Sequence, residues 1–312
     1  MKRVLVLGSL NIDLVQRVGR MPLPGETLRG EDLRIFVGGK GANQACAAAL
    51  LGMKAEMAGM VGDDVFASRL IGELQGAGVD TRAVQTSEKP SGSATILVLP
   101  GGENVIVISP GANADVSIEA ALSAVERLGT GDFLLCQLEI PLPAVAAALK
   151  AAHRNQVSTI LDPAPGQTLP DDLFPAISIL TPNQREAGLL LGRSEPVRTL
   201  ADAEAAAKEL LARGSQTVIV KMGSDGCVAA NAGEVFHAPG FSMDAVDTTA
   251  AGDTFNGALC VALSEGRSLR DAARFANAAA ALSVTRSGAI SAIPARAEVE
   301  EFLAACAANP GS

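Results

Sequence analysis

The stretch Asp-Thr-Thr-Ala-Ala-Gly-Asp-Thr-Phe at positions 247–255 carries residue types suited to phosphate chemistry. Small residues ahead of an apolar helix leave backbone N–H groups free for an anion, and the helix dipole favours negative charge at that end. Asp253 taken alone is better explained as a helix cap. The whole stretch instead favours a phosphoryl-transfer site, in which Asp253 is the general base that takes a proton from an attacking hydroxyl. The anion hole beside it would be formed by Ala250, Ala251 and Gly252.

A second glycine-rich stretch, Gly-Gly-Lys-Gly-Ala-Asn-Gln-Ala at positions 38–45, lies at the predicted start of another helix. Its glycines permit close approach of the backbone to a ligand. The stretch is not a P-loop, because Lys40 is followed by Gly41 rather than by Ser or Thr. A plain glycine turn with a capping Asn43 is the alternative interpretation.

Two pairs of polar residues follow predicted strands. Asn11 and Asp13 are two positions apart, so in an extended segment their side chains point the same way and suit a vicinal diol. A turn built on these two residues is the alternative. Asn183 and Glu186 are three apart at a predicted helix start, where they share a face that suits a hydrated Mg²⁺ and its phosphates. A capping box is the alternative there.

Two further features accompany these motifs. Glu139 follows a predicted strand at the carboxyl edge of a parallel sheet, where open α/β folds bind their ligands. The turn Gly-Ser-Asp-Gly at positions 223–226 is short enough to lie against a nucleotide, or it simply closes a hairpin.

Alternation of apolar runs with helical periods predicts the elements that position these residues. Short runs typical of strands buried on both faces occur at 4–7, 133–136, 159–161, 177–180 and 218–220. Helical stretches occur at 42–51, 65–75, 118–128, 142–153 and 201–212, and three more follow at 253–263, 269–285 and 296–307. This order predicts an α/β fold with a mostly parallel central sheet and helices on both faces.

Two segments interrupt this pattern and predict a small inserted antiparallel β-sheet that serves as a lid. They span residues 12–37 and 92–110, which leaves 1–11, 38–91 and 111–312 to the α/β domain. Val105–Ile108 is apolar at every position, so both faces of that strand need cover. We expect one face to close over a ligand and the other to pack on a second subunit, which predicts a homodimer.

Composition excludes several classes of protein. The chain has 312 residues and a formal net charge of −9, which argues against nucleic acid or an anionic membrane as a partner. Two histidines are too few for a His-rich metal site. Five cysteines without CxxC spacing, and no apolar run of membrane length, predict a reducing, cytoplasmic location.

Taken together, the motifs at 38–45 and 247–255 resemble those of the ribokinase family of sugar and nucleoside kinases, and the likeness covers nearly the whole chain. It implies ATP-dependent, in-line transfer of a phosphoryl group to a small sugar, in the first place D-ribose to D-ribose 5-phosphate, with Mg²⁺ as cofactor. The implied sugar-binding residues are Asn11, Asp13, Gly39, Lys40, Asn43, Glu139 and Asp253. The implied residues of the nucleotide and Mg²⁺ side are Asn183, Glu186, Lys221, Gly223, Ser224, Asp225, Gly226, Gly252 and Asn277.

The family also places an activating monovalent cation, K⁺, beside the anion-hole loop. The corresponding positions are Asp247, Thr249, Ser283, Arg286, Gly288 and Ala292. Asp247 has no cationic partner nearby in sequence, and a cation would relieve the cost of burying an unpaired carboxylate. Ala292 stands where a serine hydroxyl is common in the family, and Lys221 replaces a small hydroxyl residue. The sequence leaves two alternatives for Lys221: contact with a phosphate, or exposure to solvent.

Other functions remain open from sequence alone. A nucleoside kinase of the same family would need a flat surface for the base, but the chain has no Trp or Tyr, and Phe36 is the aromatic residue of the two lid segments. Deoxyribose and other pentoses remain alternative substrates, because they differ from ribose at a single hydroxyl group. A sugar or nucleotide sensor without turnover would be expected to lack Asp253 or the anion hole, and this sequence keeps both. A dehydrogenase is not supported, because no G-x-G-x-x-G motif follows the first strand.

Overall fold

The structure is a computed structural model that describes residues 2–101 and 103–308. Its strands, in chain order, are β1 (Arg3–Leu7), β2 (Asn11–Arg17), β3 (Arg34–Gly38), β4 (Lys54–Gly62), β5 (Asp80–Ser87), β6 (Gly92–Val98), β7 (Asn104–Ser109), β8 (Phe133–Cys136), β9 (Ser158–Leu161), β10 (Ile179–Leu180), β11 (Thr217–Lys221), β12 (Cys227–Asn231) and β13 (Val235–Ala238). Its α-helices are α1 (Lys40–Leu50), α2 (Val65–Gly76), α3 (Ile118–Val125), α4 (Leu142–Arg154), α5 (Gln184–Leu190), α6 (Leu200–Ala212), α7 (Ala251–Ser264), α8 (Leu269–Ser283) and α9 (Arg296–Ala308).

The larger sheet has the strand order β13-β12-β11-β10-β9-β8-β1-β4-β5. Its pairs from β11 to β5 are parallel, and the edge hairpin of β12 and β13 is antiparallel. The predicted α/β class and mostly parallel sheet are therefore confirmed. The strands β4 and β5 were not among the predicted runs, because charged and polar residues interrupt them.

Helices cover both faces of this sheet, and the central strand shows why. Val4 and Val6 on β1 belong to one hydrophobic core, while Leu5 and Leu7 belong to the other. Successive side chains of a strand point to opposite faces, so an all-apolar strand needs cover on both. Helices α1, α2, α7, α8 and α9 pack on the first face, and α3, α4, α5 and α6 pack on the second.

A second sheet, which we call the lid sheet, consists of β2, β3, β6 and β7 in the order β3-β2-β6-β7. The predicted antiparallel arrangement is wrong for its central pair: β2 pairs with β3, and β6 with β7, in antiparallel fashion, but β2 and β6 run parallel. The two hairpins enter from separate places in the chain, and nothing in either hairpin's turn fixes its direction relative to the other. The boundaries drawn between lid and α/β domain remain a prediction.

In the described part of the chain, no helix combines the length and the apolar character that a membrane crossing requires.

Candidate active site

The residues predicted to bind the sugar gather where the carboxyl end of β1 meets the lid sheet. β1 pairs with β4 on one side and with β8 on the other. The order in which the chain adds strands to the sheet therefore reverses at β1, and the connections on its two sides run in opposite directions. Open α/β sheets bind ligands in the crevice that such a point creates. β2 begins four residues after β1 ends, and α1 begins at the end of the adjoining β3. This brings the sequence motifs of the first 45 residues to one place.

Two cavities of about 770 Å³ and about 1040 Å³ open at this crevice. The smaller one lies between α5, β11 and the start of α7, and the larger one lies under the lid sheet. Lys40, Ala250 and Asp253 line both cavities. The two spaces therefore meet at the lysine of the first glycine-rich motif and the carboxylate of the second.

Glu139 connects three of the motifs on the lid side. Its Oε2 accepts hydrogen bonds from Ser9 Oγ at 2.6 Å, from the Lys40 backbone N–H at 3.2 Å and from Asn11 Nδ2 at 3.4 Å. Gly39 precedes α1 with φ 90°, and a Cβ there would lie 2.8 Å from the Asn11 backbone nitrogen. A larger residue would thus push this helix start away from the segment that enters β2.

Asn11 and Asp13 lie on β2, not in an Asx turn, and both line the larger cavity. Their position confirms the extended backbone that places both side chains on one face. Burial raises the pKa of Asp13 to about 7, and the nearby carboxylates of Glu139 and Asp253 add to the rise. Asp13 is therefore a carboxyl group that changes charge near neutral pH.

Asp253 lies in the first turn of α7 and is buried. Its carboxylate accepts from Asn43 Nδ2 and from Gln44 Nε2, each at 2.9 Å. The helix cap is Ala250, which has φ 59° and makes no side-chain cap hydrogen bond, so the capping interpretation of Asp253 is wrong. Burial raises the pKa of Asp253, although the charge of Lys40 opposes the rise.

Lys40 is the cation shared by both cavities. Burial alone would lower its pKa, but the carboxylates of Asp253, Asp162, Glu139 and Glu186 outweigh burial and raise it. The side chain is therefore a permanent positive charge at the point where the cavities meet. Such a charge can stabilise negative charge that develops on a transferred group.

Asn183 and Glu186 form the capping box that the sequence left as an alternative, and Glu186 also lines the smaller cavity. Burial raises the pKa of Glu186, Lys221 opposes this and Asp162 adds to it. Among the described residues no group of three or more His, Cys, Asp or Glu side chains is arranged to hold a metal. The carboxylate oxygens of Glu186 fit a hydrated Mg²⁺ that is held mainly by nucleotide phosphates and water.

The turn at 223–226 joins β11 to β12, and it contributes Gly223 to the wall of the smaller cavity. Ser224, Asp225 and Gly226 are not among the residues that line either cavity. Neither is Asn277, whose side-chain amide donates to the carbonyls of Ala238 and Pro239 at 3.0 and 3.1 Å. These contacts anchor the segment after β13.

The residues predicted for a monovalent cation come from two segments that touch. The backbone N–H groups of Val246 and Asp247 donate to the Val284 carbonyl, and the Gly288 N–H donates to Asp247 Oδ2 at 2.9 Å. Asp247 Oδ1 accepts from the N–H and the hydroxyl of Thr249. Burial would raise the pKa of Asp247, but these hydrogen bonds lower it. Asp247 is therefore half-buried and hydrogen-bonded, not the buried, unpaired carboxylate that the sequence suggested, and the partners named here are N–H and hydroxyl groups rather than cations.

Ser283, Arg286 and Ala292 lie near this junction. Ser283 ends α8 and its carbonyl accepts from the Arg286 N–H, while Arg286 pairs with Glu298. Ala292 is buried in a 3-10 turn.

Sequence reasoning missed four buried polar residues that hold the site together. Gln44 donates to both Asp253 and Asp162, Gln137 donates to Gln44, and Asn113 donates to Asn11. Asp162 directly follows β9, at the same sheet edge as Glu139, and that placement was the available signal.

Comparison with known proteins agrees with this geometry. A family model described as pfkB family carbohydrate kinase matches residues 1–296. Ribokinase of Haemophilus influenzae is 42% identical over 306 residues, which is 97% of this chain and 98% of that protein. The crystal structure of a Thermotoga maritima ribokinase is similar with a TM-score of 0.88 and 40% identity, covering 97% of this chain and 100% of that one.

A structure of Arabidopsis thaliana ribokinase complexed with ribose and ATP is similar with a TM-score of 0.87 and 34% identity, covering 97% of this chain and 99% of that one. Family match, identity and coverage agree over almost the entire sequence. The chain therefore belongs to the pfkB family of carbohydrate kinases.

Proposed function

We propose that the protein transfers the terminal phosphoryl group of ATP to D-ribose and forms D-ribose 5-phosphate. The observation that carries this proposal is the meeting of two cavities at Lys40 and Asp253. A phosphoryl donor in one and a sugar in the other would face each other across these side chains. The similar Arabidopsis protein, described with ribose and ATP, supports both ligand classes.

The sugar would occupy the larger cavity, against the side chains on β2 and α1. Asn11, Asp13 and Glu139 offer an amide and carboxylates to its hydroxyl groups, and Gly39, Lys40 and Asn43 lie beside them in the wall. Asp253 takes the proton of the attacking hydroxyl, since its carboxylate is held by two amide donors and lines both cavities.

The nucleotide would occupy the smaller cavity, with its phosphates toward the start of α7. Backbone N–H groups of Ala250 and Gly252 lie at that helix start and stabilise the charge on the phosphoryl group in transit. The predicted third donor, the Ala251 N–H, donates to the Thr248 carbonyl at 3.3 Å and would have to exchange that bond for the phosphate. Glu186 would hold a hydrated Mg²⁺ at this wall, and the ion would supply charge neutralisation at the phosphates. Asn183, Lys221 and Gly223 also line that wall.

The homodimer, a K⁺ ion near Asp247 and a cytoplasmic location belong to the same proposal. Val105, Ile106, Val107 and Ile108 on β7 are 37, 49, 62 and 49% exposed, so the strand offers apolar surface on both faces. Ile106 and Ile108 also line the sugar-side cavity, so a partner seated there would help to enclose the sugar.

The test is ADP release measured with a panel of pentoses, hexoses and nucleosides, including deoxyribose. We expect the highest kcat/KM with D-ribose. Phe36 is the aromatic residue lining the larger cavity in the described structure, so nucleosides should turn over slowly. A higher kcat/KM for another sugar would replace ribose in the proposal, and no turnover with any acceptor would overturn it.

A further inference from the structure

We propose that Lys221 is a catalytic residue that contacts the phosphoryl group in transit, and that Asp162 and Gln44 are positioning residues that hold its ammonium in fixed relation to Asp253. The inference rests on the proposed ATP-dependent transfer and assigns it a second cation besides Lys40.

The ammonium of Lys221 adjoins the predicted anion hole. Lys221 ends β11 and lines the smaller cavity. A Cβ added to Gly252 would lie 3.5 Å from Lys221 Nζ, so the ammonium stands against the backbone that would receive the phosphate. An ammonium has three N–H donors. Among the described residues one donor is accounted for by Asp162, and the others remain for a ligand in the cavity.

The ion pair itself favours a role in binding an anion over a purely structural role. Lys221 and Asp162 are joined at 2.9 Å, with side chains that are 13 and 2% exposed. A buried pair loses about as much in desolvation as it gains in attraction, so stability alone gives little reason to keep it. Arg198 lines the same cavity but pairs at the surface with Glu195, where both side chains are 72% exposed. Lys221 differs from Arg198 in being held in place before a ligand arrives.

Gln44 connects this pair to Asp253. Its Nε2 donates to Asp162 Oδ2 and to Asp253 Oδ1, each at 2.9 Å, and its Oε1 accepts from Gln137 Nε2 at 2.6 Å. Turning the amide over would place its oxygen against two carboxylates, so these partners fix its orientation. The Gln44 side chain thereby sets the distance between Asp253, which removes the proton, and Asp162, which holds the Lys221 ammonium. Such preorganisation costs no rearrangement during reaction.

The test uses Lys221→Met in the full-length protein, with Lys208→Met as the matched control. Lys208 also pairs with a glutamate, but on the exposed face of α6. We expect kcat of Lys221→Met to fall roughly 10²-fold, as when one donor to a developing charge is removed, while the sugar KM stays close to the original. Lys221→Arg should recover part of the rate, and Lys208→Met should keep all of it.

A binding measurement separates contact with the terminal phosphate from general nucleotide binding. Calorimetry with ADP and with the non-hydrolysable β,γ-imido analogue of ATP gives the preference for the triphosphate. Lys221→Met should reduce that preference roughly tenfold, since a charge-assisted hydrogen bond is lost. Equal weakening of both nucleotides would overturn the inference.

The double variant Lys221→Met/Asp162→Asn decides whether the lysine merely neutralises Asp162. It removes both charges, so no unpaired carboxylate is left to disturb the fold. We expect it to remain slow. Recovery of the original kcat would overturn the inference. If the unmodified protein turned over no sugar, the proposed function would fail, while the comparison of the two nucleotides would still test Lys221.

Discussion

Asn113 Nδ2 donates to Asn11 Oδ1 over 2.7 Å, and this bond orients the first polar side chain of the sugar-side cavity. Asn113 is buried in the 3-10 turn that follows β7, and it also bonds both backbone groups of Leu10. Because the oxygen of Asn11 is taken, its Nδ2 is left to face Glu139. The chain that returns from the lid sheet thus fixes a residue at the start of that sheet.

Replacing Asn113 by Ala should raise the sugar KM by roughly tenfold, because the Asn11 amide loses the partner that sets its orientation. The ATP KM should stay near its original value. Ser268→Ala is the control, since it removes the cap of α8, and neither Ser268 nor its neighbours in sequence line either cavity. If both variants lost stability alike and neither changed the sugar KM, Asn113 would be a structural residue only.

Asp253→Asn should lower kcat by about 10²–10⁴-fold, because an amide cannot take a proton from the attacking hydroxyl. Nucleotide affinity should survive the change. Steady-state ADP release and calorimetric titration with ATP check the two parts separately. Near-normal turnover would remove Asp253 from the role of general base.

Asp13→Ala should raise the sugar KM far more than the ATP KM. Loss of a charge-assisted pair of hydrogen bonds costs roughly 1.5–3 kcal/mol. Because the Asp13 pKa lies at about 7, the unmodified enzyme should also bind sugar less well as pH falls below that value. A sugar KM that is the same in the variant and flat with pH would exclude Asp13 from the site.

The same pKa makes a prediction about stability. Folding raises the pKa of Asp13 above the ordinary value of 3.8, so the folded state binds a proton more tightly than the unfolded chain does. Its contribution to the free energy of unfolding should therefore grow as pH falls from about 7 toward 4. Without sugar, Asp13→Asn should be more stable than the original protein at pH 8, and this advantage should shrink at pH 5. The measurement is urea unfolding of both proteins at pH 8 and pH 5. The same difference in free energy of unfolding at the two pH values would contradict the prediction.

The sequence predicted the central strand and the two glycine-rich helix starts because each depends on a local pattern, whereas the convergence of the two motifs was implied only by the family resemblance. An apolar run marks β1, and glycines before a helix mark α1 and α7. The links among Gln44, Asp162 and Asp253 were not predictable, since each joins residues more than 100 positions apart. The parallel pairing of β2 with β6 is of the same kind, because the contacts between two hairpins leave no periodicity in either.

The lid sheet should form the dimer interface through one face of β7. The double variant Val105→Glu/Val107→Glu places two charges on one face of the strand, and Ile106→Glu/Ile108→Glu places two on the other face. We expect one of these two double variants to be a monomer. Leu200→Glu, on α6, is the control for added charge at a partly exposed apolar residue. Light scattering that finds a monomer for the unmodified protein would rule out the interface.

Turnover should increase with K⁺. Asp247 holds the start of the anion-hole loop to the segment after α8 through Gly288 and Val284, so a cation in this junction would keep the loop in place. Because Asp247 already accepts three hydrogen bonds, the ion would add to an ordered loop, and a moderate effect on kcat is expected. A large, weakly hydrated ion suits backbone carbonyls better than Mg²⁺, which dehydrates reluctantly. The measurement is ADP release at constant ionic strength and saturating Mg²⁺, with KCl exchanged for tetramethylammonium chloride. Asp247→Asn should lose the response to K⁺, and equal rates of the unmodified enzyme in both salts would leave Asp247 as a residue that only shapes the loop.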